Sequence, residues 1–364
     1  MMFKIDRRLV QTVDWLLVAA ALSVVAAGLV TLWSLTPTRV GDGILWRQLS
    51  WVGLGFLALI VIAGVNYRNL VRAAPALYVL GVALLITVSL MGRTVSGARR
   101  WLSLGFITFQ PSELFKLIFV VTLVWALTSR WATPLSLGLL LFSCGLLAAP
   151  LLLIVRQPDL GSAVALVPIL AALLVGAGTR LRDLGWLGAG GLAAAPMTWL
   201  FLKDYQRERI LVYLDPFRDT LGSAYNVTQA KIAIGSGQLL GKGIAGATQS
   251  RLAFLPERHT DFVFAVFAEE WGFVGCLALI VCYAFFLLRG FEIAAASRDP
   301  QGRLLALGVT ALLGSQILIN LGMVMGLLPV VGIPLPLMSY GGSSMVVSLM
   351  AVGLLLSVRM RQFR

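Results

Sequence analysis

Long apolar stretches recur along the chain and are separated by shorter polar loops. Ten of them have the length of a membrane-crossing helix: residues 15–34, 45–65, 75–92, 110–129, 134–155, 160–178, 183–202, 262–289, 303–326 and 337–358. About 20 apolar residues in a helix cross the ~30 Å hydrocarbon core of a bilayer. The strands of a membrane barrel would instead alternate apolar and polar residues over ~10 positions, which this sequence does not do. The pattern predicts an all-α polytopic membrane protein with about ten transmembrane helices.

One polar stretch, residues 203–261, is far longer than the other loops and separates the seventh and eighth apolar segments. Apolar segments continue on both sides of it, so we interpret residues 1–364 as a single integral membrane domain. The string YNVTQAKIAIGSG within the loop mixes apolar and polar residues and indicates an amphipathic segment against the membrane surface. Basic residues precede the first apolar segment, as in a signal peptide, but its length of ~20 residues favours a retained anchor.

The composition agrees with a membrane protein, since 59% of the residues are hydrophobic and 12% are charged. The net charge of +13 is spread over short loops, which indicates membrane topology and anionic lipids and not nucleic-acid binding. With the N-terminus inside, the cytoplasmic loops hold more Arg and Lys than the short outer loops. The basic residues of 203–261 oppose this bias, but long loops count less. We therefore expect both termini in the cytoplasm and the 203–261 loop outside.

Acidic residues concentrate where the long loop meets the eighth apolar segment, in the string LPERHTDFVFAVFAEE. It contains Glu257, Asp261, Glu269, Glu270 and the single histidine, His259. Acids at the edge of a bilayer are costly, so such a group points to function. Asp261 precedes an apolar run, and partial desolvation would raise its pKa and suit it to act as a general base. It could equally cap the following helix. For Glu269 and Glu270, salt bridges to another helix are the alternative to catalysis.

A second group of candidates lies in FQPSELFKL and the arginines before it. Glu113 and Lys116 are three residues apart and share one face of a helix that starts near Pro111. They can simply pair with each other; alternatively, Lys116 offers its charge to a phosphate while Glu113 orients it. Upstream, Arg99 and Arg100 belong to a basic loop that fits either anionic lipid headgroups or a diphosphate substrate.

A third candidate is Asp159 in RQPDLGSA, which begins the sixth apolar segment beside Arg156. A helix cap or a local ion pair explains this acid without any ligand. A contact to a divalent cation is the alternative, since Mg²⁺ and Mn²⁺ prefer oxygen ligands. No D-x-D pair occurs in the chain. A metal site would therefore be assembled across loops, with Asp261 or Asp159 as its candidate ligands.

Five long strings of this sequence resemble the signatures of one family, the SEDS (shape, elongation, division, sporulation) proteins. They are GARRWLSLG…FQPSELFKL, QPDLGSA, YNVTQAKIAIGSG, LPERHTDFVFAVFAEEWGFVG and NLGMVMGLLPVVGIPLPLMSYGGSS. Within the family, RRLVQTVDWLL and PVVGIPLPLMSYGGSS look more like the elongation branch (RodA) than the division branch (FtsW). The resemblance implies a ten-helix peptidoglycan glycosyltransferase of the bacterial inner membrane. Such an enzyme polymerises lipid II and works with a class B penicillin-binding protein, which is the transpeptidase.

The resemblance also assigns residues to the family's motifs. The acid of the LPExHTDF motif is essential in the family; in this sequence it is Asp261, and His259 occupies the histidine position. The Glu and Lys of QPSELxKL are Glu113 and Lys116, and the acid of QPDLG is Asp159. All of these motif residues are present, so an active member of the family is implied.

The implied reaction joins two lipid-linked sugars. The 4-hydroxyl of one lipid II attacks the other, Asp261 accepts the hydroxyl proton, and undecaprenyl diphosphate leaves. Lys116, with Arg99 or Arg100, would offset the charge of the diphosphate, and Glu257 and the neighbouring histidine would shape the substrate site. An α-linked donor gives a β-linked product, so a direct displacement with inversion is expected.

Two other kinds of protein fit part of the same sequence. A flippase for lipid-linked precursors would also have many spans and intramembrane acids such as Glu113, Glu269 and Glu270. It would need its ionisable groups near mid-membrane, whereas Asp261 is expected at the outer face. A non-catalytic scaffold for the partner enzyme predicts that Asp261→Asn leaves cell-wall synthesis normal.

Overall fold

The computed structural model describes residues 12–35, 43–95, 98–104, 107–129, 135–201, 204–215, 223–247 and 257–362. Its elements in chain order are α1 (Trp15–Ser34), α2 (Ile44–Gly64), α3 (Tyr67–Arg72), α4 (Ala74–Met91), β1 (Arg93–Val95), β2 (Ala98–Leu104), β3 (Ile107–Phe109), α5 (Pro111–Ser129), α6 (Leu137–Arg156), α7 (Leu160–Gly176), α8 (Leu181–Phe201), α9 (Asp204–Leu214), α10 (Ser223–Ser236), α11 (Gly243–Gly246), α12 (Val263–Ala296), α13 (Pro300–Val324) and α14 (Gly342–Arg361). The basic residues at the N-terminus and the first two residues of LPERHTDF lie outside the described ranges.

The ten predicted apolar segments correspond to ten helices in the same order. Eight of these, α1, α2, α4, α5, α6, α12, α13 and α14, are long and apolar enough to cross a membrane. The sixth and seventh segments are α7, an apolar helix of 17 residues, and α8, with 21 residues. The predicted polytopic helical fold is confirmed, and the ends of the helices differ from the predicted ends by a few residues.

A small antiparallel sheet, in the order β1-β2-β3, precedes α5 and was not predicted. Thr94 pairs with Arg99 and Ser103 pairs with Thr108 in its two ladders. Two of the strands have three residues each, which is too short for a visible alternation of apolar and polar positions. The basic stretch before α5 is therefore a hairpin and not an irregular loop, and β2 holds its arginines in a fixed register.

The helices α5, α13 and α14 form the centre of the bundle. Between 67% and 78% of their apolar windows are buried within the protein, compared with 22% for α2 and α4. The exposed large side chains of α2 and α4 are apolar, as expected for helices that face lipid. Central helices also carry polar groups that need partners, such as Asn320 on α13, which is fully buried.

Polar contacts of α1 show which parts of the chain lie at each end of the bundle. Asp14 accepts a hydrogen bond from the backbone N–H of Leu17 at the start of α1, and its other oxygen lies 2.5 Å from Arg289 and 3.7 Å from Arg359. The described chain ends therefore lie at the same end of the bundle. At the other end of α1, the Ser34 hydroxyl donates to Glu270 of α12.

The helix α12 is interrupted near its N-terminal end, which its uniform hydropathy did not predict. Gly272 has φ 63° and ψ −163°, and a Cβ there would lie 2.2 Å from the backbone nitrogen of Gly241. The turn of residues 237–242, which follows α10, docks in this break: the Phe273 N–H donates to the carbonyl of Gln238 at 2.8 Å. At this interruption, the turn of residues 237–242 in the long loop packs against the N-terminal part of α12.

Candidate active site

A cavity of about 560 Å³ opens at the end of the bundle opposite the described chain ends. Its walls come from β2, the N-terminal ends of α5 and α7, the helix α9, the turn before α12, and the segment between α13 and α14. The lining residues are Arg100, Trp101, Gln110, Glu113, Asp159, Ser162, Arg209, Glu257, Thr260, Asp261, Gly332, Ile333, Pro334, Tyr340, Gly341 and Ser344. Five of the eight residues predicted for the site belong to this wall: Arg100, Glu113, Asp159, Glu257 and Asp261.

Asp261 lies in a turn that enters α12 but does not cap that helix. The backbone N–H of Thr260 donates to the carbonyl of Glu257, which closes the turn, and Phe262 is the N-cap residue without a side-chain hydrogen bond. The capping interpretation of Asp261 is therefore wrong. Asn320 of α13 holds the turn from below, since its amide donates to the carbonyl of Asp261 at 2.9 Å and to that of Ile333 at 2.7 Å.

The surroundings of Asp261 raise the pKa of its carboxyl group. Burial, together with the charge of Glu257, raises the pKa of Asp261 to about 6, although Arg209 and Arg100 act in the opposite direction. Gly332, which has φ 72°, packs against the Asp261 carboxylate. A Cβ at this glycine would lie 3.2 Å from Oδ2 of Asp261. At neutral pH Asp261 is thus mostly an unprotonated carboxylate with a higher affinity for a proton than an ordinary aspartate.

Asp159 is the second acid of the wall, and it is held by hydrogen bonds. Oδ2 accepts from Gln110 at 2.9 Å and from the Ser112 hydroxyl at 2.8 Å, while Oδ1 caps α7 by accepting from the Ser162 N–H. Burial alone would raise the pKa of Asp159, but Arg100 and the hydrogen bonds outweigh burial and lower it. The cap interpretation is confirmed, and the arginine beside this acid is Arg100 and not its sequence neighbour.

Glu113 and Lys116 form a buried ion pair on α5. The Lys116 ammonium lies 2.7 Å from Oε1 of Glu113, and the side chains are 1% and 6% exposed. Glu113 belongs to the cavity wall, whereas Lys116 lies behind it. The predicted pairing is confirmed. Lys116 contacts Glu113 and does not itself line the cavity.

The two predicted arginines of the hairpin differ in position. Arg100 lines the cavity and donates to the carbonyl of Pro158, just before the Asp159 cap. Arg99 is its neighbour on β2, is exposed and is not among the lining residues. Alternation along a strand explains the difference, because successive side chains point to opposite faces.

Glu257 and His259 flank the catalytic candidate in different ways. Glu257 is exposed at the cavity and its carboxylate accepts a hydrogen bond from Thr260 at 3.0 Å. The His259 ring packs edge-on against Tyr340, with 5.5 Å between ring centroids, and Tyr340 in turn lines the cavity. Burial lowers the pKa of His259, so the ring is neutral at physiological pH.

The remaining acids of the cluster lie outside the cavity. Glu269 is fully buried and its carboxylate lies 3.4 Å from the ammonium of Lys242, in the turn that docks at the break of α12. Glu270 accepts from the Ser34 hydroxyl of α1. Both acids thus hold neighbouring elements to α12. Glu269 forms a salt bridge, although to a turn and not to another helix, and the partner of Glu270 is a hydroxyl.

The sequence patterns did not identify several residues of the cavity wall. Arg209 of α9 is one of three charged residues in the run RER, and no spacing distinguishes it from the other two. Tyr340 and Gly332 belong to the string PVVGIPLPLMSYGGSS, which was recognised as a family signature without assigning site residues. Gln110 precedes α5, and nothing in the sequence shows that its amide donates to Asp159. Only the three-dimensional convergence of these segments identifies them.

A divalent cation at Asp261 or Asp159 stays a prediction. Both oxygens of Asp159 already accept hydrogen bonds, so the Asp261 carboxylate is the better placed of the two acids to accept a further ligand from the cavity. Among the described residues, no group of three His, Cys, Asp or Glu side chains is arranged to hold a metal ion.

Residues 9–363 match a family model described as a cell cycle protein and labelled with FtsW, RodA and SpoVE. The peptidoglycan glycosyltransferase MrdB of Escherichia coli (strain K12) is 42% identical over 348 residues, which cover 94% of this chain and 92% of that protein. A probable peptidoglycan glycosyltransferase FtsW of Geobacter metallireducens is 34% identical over 374 residues, which cover 99% and 98%.

Two solved structures resemble the fold. A chain from a peptidoglycan synthase complex that coordinates polymerization and crosslinking has a TM-score of 0.83 and 36% identity, and the match covers 97% of this chain and 99% of that one. The crystal structure of the rod shape determining protein RodA of Thermus thermophilus has a TM-score of 0.73 and 33% identity, covering 97% and 98%. Both similarities extend over nearly all of the chain.

Proposed function

The chain belongs to the FtsW, RodA and SpoVE family of cell cycle proteins, and we propose that it polymerises lipid II into glycan strands. The predicted SEDS family is confirmed, and the identity of 42% to MrdB exceeds the 34%, 36% and 39% to three FtsW relatives, in line with the elongation branch. The chain is accordingly a peptidoglycan glycosyltransferase. The observation that carries the mechanism is Asp261, a carboxylate with a raised pKa on the wall of a cavity that contains two arginines.

Asp261 is the general base in this mechanism. Its carboxylate accepts the proton of the acceptor's 4-hydroxyl while that oxygen attacks the anomeric carbon of the donor sugar. The bond from this carbon to the diphosphate breaks, and its electron pair leaves with undecaprenyl diphosphate. A single displacement inverts the anomeric centre and requires one base and no covalent sugar–enzyme intermediate. A pKa near 6 keeps the base unprotonated at neutral pH and still able to take a proton.

The cations near Asp261 stabilise the charge that develops on the leaving diphosphate. Arg100 and Arg209 line the same cavity, and guanidinium groups bind phosphate oxygens through paired hydrogen bonds. Lys116 supports the site indirectly, because its ion pair with Glu113 keeps that carboxylate on the wall and neutralises it. Removal of one partner would leave an uncompensated buried charge.

The orientation in the membrane follows from the chemistry of the substrate. The cavity and the described chain ends lie at opposite ends of the bundle, and the charge bias favours cytoplasmic termini. The active site then faces the extracytoplasmic side of the bacterial inner membrane, where glycan strands are assembled. The likeness to a chain of a peptidoglycan synthase complex supports a class B penicillin-binding protein as the partner that crosslinks the product.

The rival function, a flippase for lipid-linked precursors, is less well supported. It would use ionisable groups within the membrane, but Glu269 and Glu270 are engaged with Lys242 and Ser34. The acids that line a cavity are collected at one end of the bundle, where Asp261 lies outside the membrane-spanning part of α12. Such an arrangement suits a reaction at the membrane surface better than passage through the bundle.

The decisive experiment incubates the purified protein with lipid II, with and without its partner and with Mg²⁺ or Mn²⁺, and measures glycan polymer. Asp261→Asn should abolish polymerisation and keep the thermal unfolding midpoint of the parent protein. Glu292→Gln, which removes an exposed acid at the opposite end of the bundle, is the matched control and should stay active. Full activity of Asp261→Asn would rule out the general-base assignment.

A further inference from the structure

A second, smaller cavity adjoins the active site. It has a volume of about 80 Å³ and lies between α9, α10 and the segment that follows α13. Arg209 lines both cavities, so the two sites share one arginine. A site for one water molecule requires roughly 10–15 Å³, and the small cavity therefore has room for a phosphate group.

The charge of the small cavity is of one sign. Its described wall contains Arg209 and Lys231 and no Asp or Glu, and Tyr213 and Thr228 add hydroxyl groups. Lys231 makes no ion pair within the described part of the chain. The Tyr213 hydroxyl already donates to the carbonyl of Leu327, and Nη1 of Arg209 donates to that of Val330. The Lys231 ammonium, the Thr228 hydroxyl and the positive charge of Arg209 are therefore the groups suited to phosphate oxygens.

Lys231 packs beside a glycine. Gly326 follows α13 with φ 74°, and a Cβ there would lie 2.5 Å from the Lys231 ammonium. The absence of a side chain at Gly326 leaves room for this ammonium beside the cavity wall, while Lys231 as a whole residue is exposed.

The rim of the small cavity is apolar and exposed. Leu214 at the end of α9 is 72% exposed, Leu327 is 64% exposed, and Leu328 lies on the wall itself. Exposed leucines beside an anion site are unfavourable in water but suit a hydrocarbon chain. The small cavity thus combines the two features of a prenyl diphosphate, a charged head and an apolar tail.

We propose that the small cavity binds the diphosphate of the acceptor lipid. This inference rests on the proposed function, because polymerisation of lipid II brings two lipid-linked diphosphates to one enzyme. The donor's diphosphate is attached to the reacting carbon and so must lie near Asp261. The acceptor's diphosphate is separated from its attacking 4-hydroxyl by a disaccharide and needs a second site at some distance. Arg209 connects the two sites, and Lys231 belongs to the second one.

The test measures binding without turnover. In an Asp261→Asn background, in nanodiscs of neutral lipid, undecaprenyl diphosphate should bind roughly tenfold more weakly to Lys231→Gln than to the background protein. A tenfold change corresponds to about 1.4 kcal/mol. Lys231→Arg should restore binding, and Arg298→Gln, an exposed cation at the other end of α12, should not change it. In the active protein, Lys231→Gln should raise KM for lipid II about as much and change kcat little.

Competition separates the possible sources of the anion. Inorganic pyrophosphate should compete weakly, because it lacks the prenyl chain, and added phosphatidylglycerol should compete less than undecaprenyl diphosphate does. Equal binding by Lys231→Gln and the background protein would refute the subsite, as would a loss equally large in Arg298→Gln or full competition by phosphatidylglycerol. Because binding is measured without catalysis, its outcome does not depend on whether Asp261 is the base.

Discussion

The two cavities that share Arg209 differ in volume and in the charges around them. The large cavity contains four acids, Glu113, Asp159, Glu257 and Asp261, together with Arg100, whereas the small cavity adds only Lys231 and hydroxyls in its described wall. Acids can take or hold protons, while cations without acids can only bind anions. In the proposed mechanism, proton transfer and binding of the second diphosphate therefore occur at separate places that share one arginine.

The acids of the large cavity are stabilised in different ways. Four acids in one place repel each other, so each requires its own means of stabilisation: Asp159 caps a helix, Glu113 pairs with Lys116, and Glu257 is exposed. Burial raises the pKa of Asp261 to about 6. A carboxylate that its neighbours do not fully stabilise is the one able to act as a base.

The largest expected effect separates chemistry from binding. Asp261→Asn should lower kcat at least about 100-fold, the usual lower range for loss of general acid–base catalysis, and leave binding of undecaprenyl diphosphate unchanged. Lys231→Gln should do the reverse. Steady-state polymerisation assays and binding assays on both variants measure the contrast. If each variant impaired both quantities to the same degree, the two cavities would not have separate roles.

A smaller loss is expected when the support of Asp261 is removed. Asn320→Leu deletes both amide hydrogen bonds to the carbonyls of Asp261 and Ile333, and each buried carbonyl left without a partner costs about 1–3 kcal/mol. We expect kcat to fall about tenfold (1.4 kcal/mol) with little change in KM. The kinetics are measured at a temperature at which thermal unfolding shows that the variant is folded.

The control for this change is Gln316→Leu, which alters a buried polar residue one turn earlier on the same helix. Gln316 is not part of the cavity wall, so its replacement should affect stability more than kcat. Equal losses of kcat in both variants would mean that Asn320 acts on the stability of α13 and not on the position of Asp261.

The pH dependence of kcat/KM should reveal the charges that act on Asp261. Since the base must be unprotonated, activity should rise with pH through about 6, the pKa of Asp261. Burial is the main cause of this raised pKa, and Glu257 adds to it while Arg209 opposes it. Glu257→Gln should therefore move the acidic limb to lower pH and Arg209→Gln should move it to higher pH. Shifts in the same direction would contradict this electrostatic account.

Arg209 also distinguishes the two cavities within one variant. Arg209→Gln should both shift the acidic limb and weaken binding of undecaprenyl diphosphate, because this guanidinium lines both walls. Glu257→Gln should shift the limb without weakening binding. For each variant, kcat/KM is measured as a function of pH and the affinity for undecaprenyl diphosphate is measured separately. The two data sets show whether the pH shift and the loss of binding occur in the same variant.

The sequence allowed prediction of those parts of the site that depend on local chemistry. The apolar segments predicted the helices, and the motif strings identified Asp261, Asp159 and Glu113, since each follows or begins an apolar run in a recognisable string. Arg209 and Lys231 were not identified as site residues. Arg209 lies in the charged run RER, and Lys231 lies in the signature string YNVTQAKIAIGSG, but neither pattern shows that α9 and α10 meet the segment after α13. Long-range packing, which no local pattern encodes, creates the small cavity.

The break in α12 and the hairpin illustrate the same limit on a smaller scale. The hydropathy of α12 is high throughout, so nothing in it marks Gly272 as the point where the turn of residues 237–242 docks. The hairpin strands are too short to show alternation, and Arg99 and Arg100 were therefore treated as equivalent. Strand geometry separates them, with consequences that can be measured.

The smallest expected effect concerns these two arginines and tests whether position in a cavity decides function. Arg100 lines the large cavity and contacts the Pro158 carbonyl, so Arg100→Gln should raise KM for lipid II and lower kcat. Arg99 is exposed on the same strand, and an exposed charge contributes only about 0–1 kcal/mol. Arg99→Gln should therefore change KM less than about threefold at physiological salt, and that change should vanish at high salt because surface charges are screened. An effect of Arg99→Gln equal to that of Arg100→Gln would mean that general positive charge at the membrane surface, and not the cavity wall, recruits the substrate.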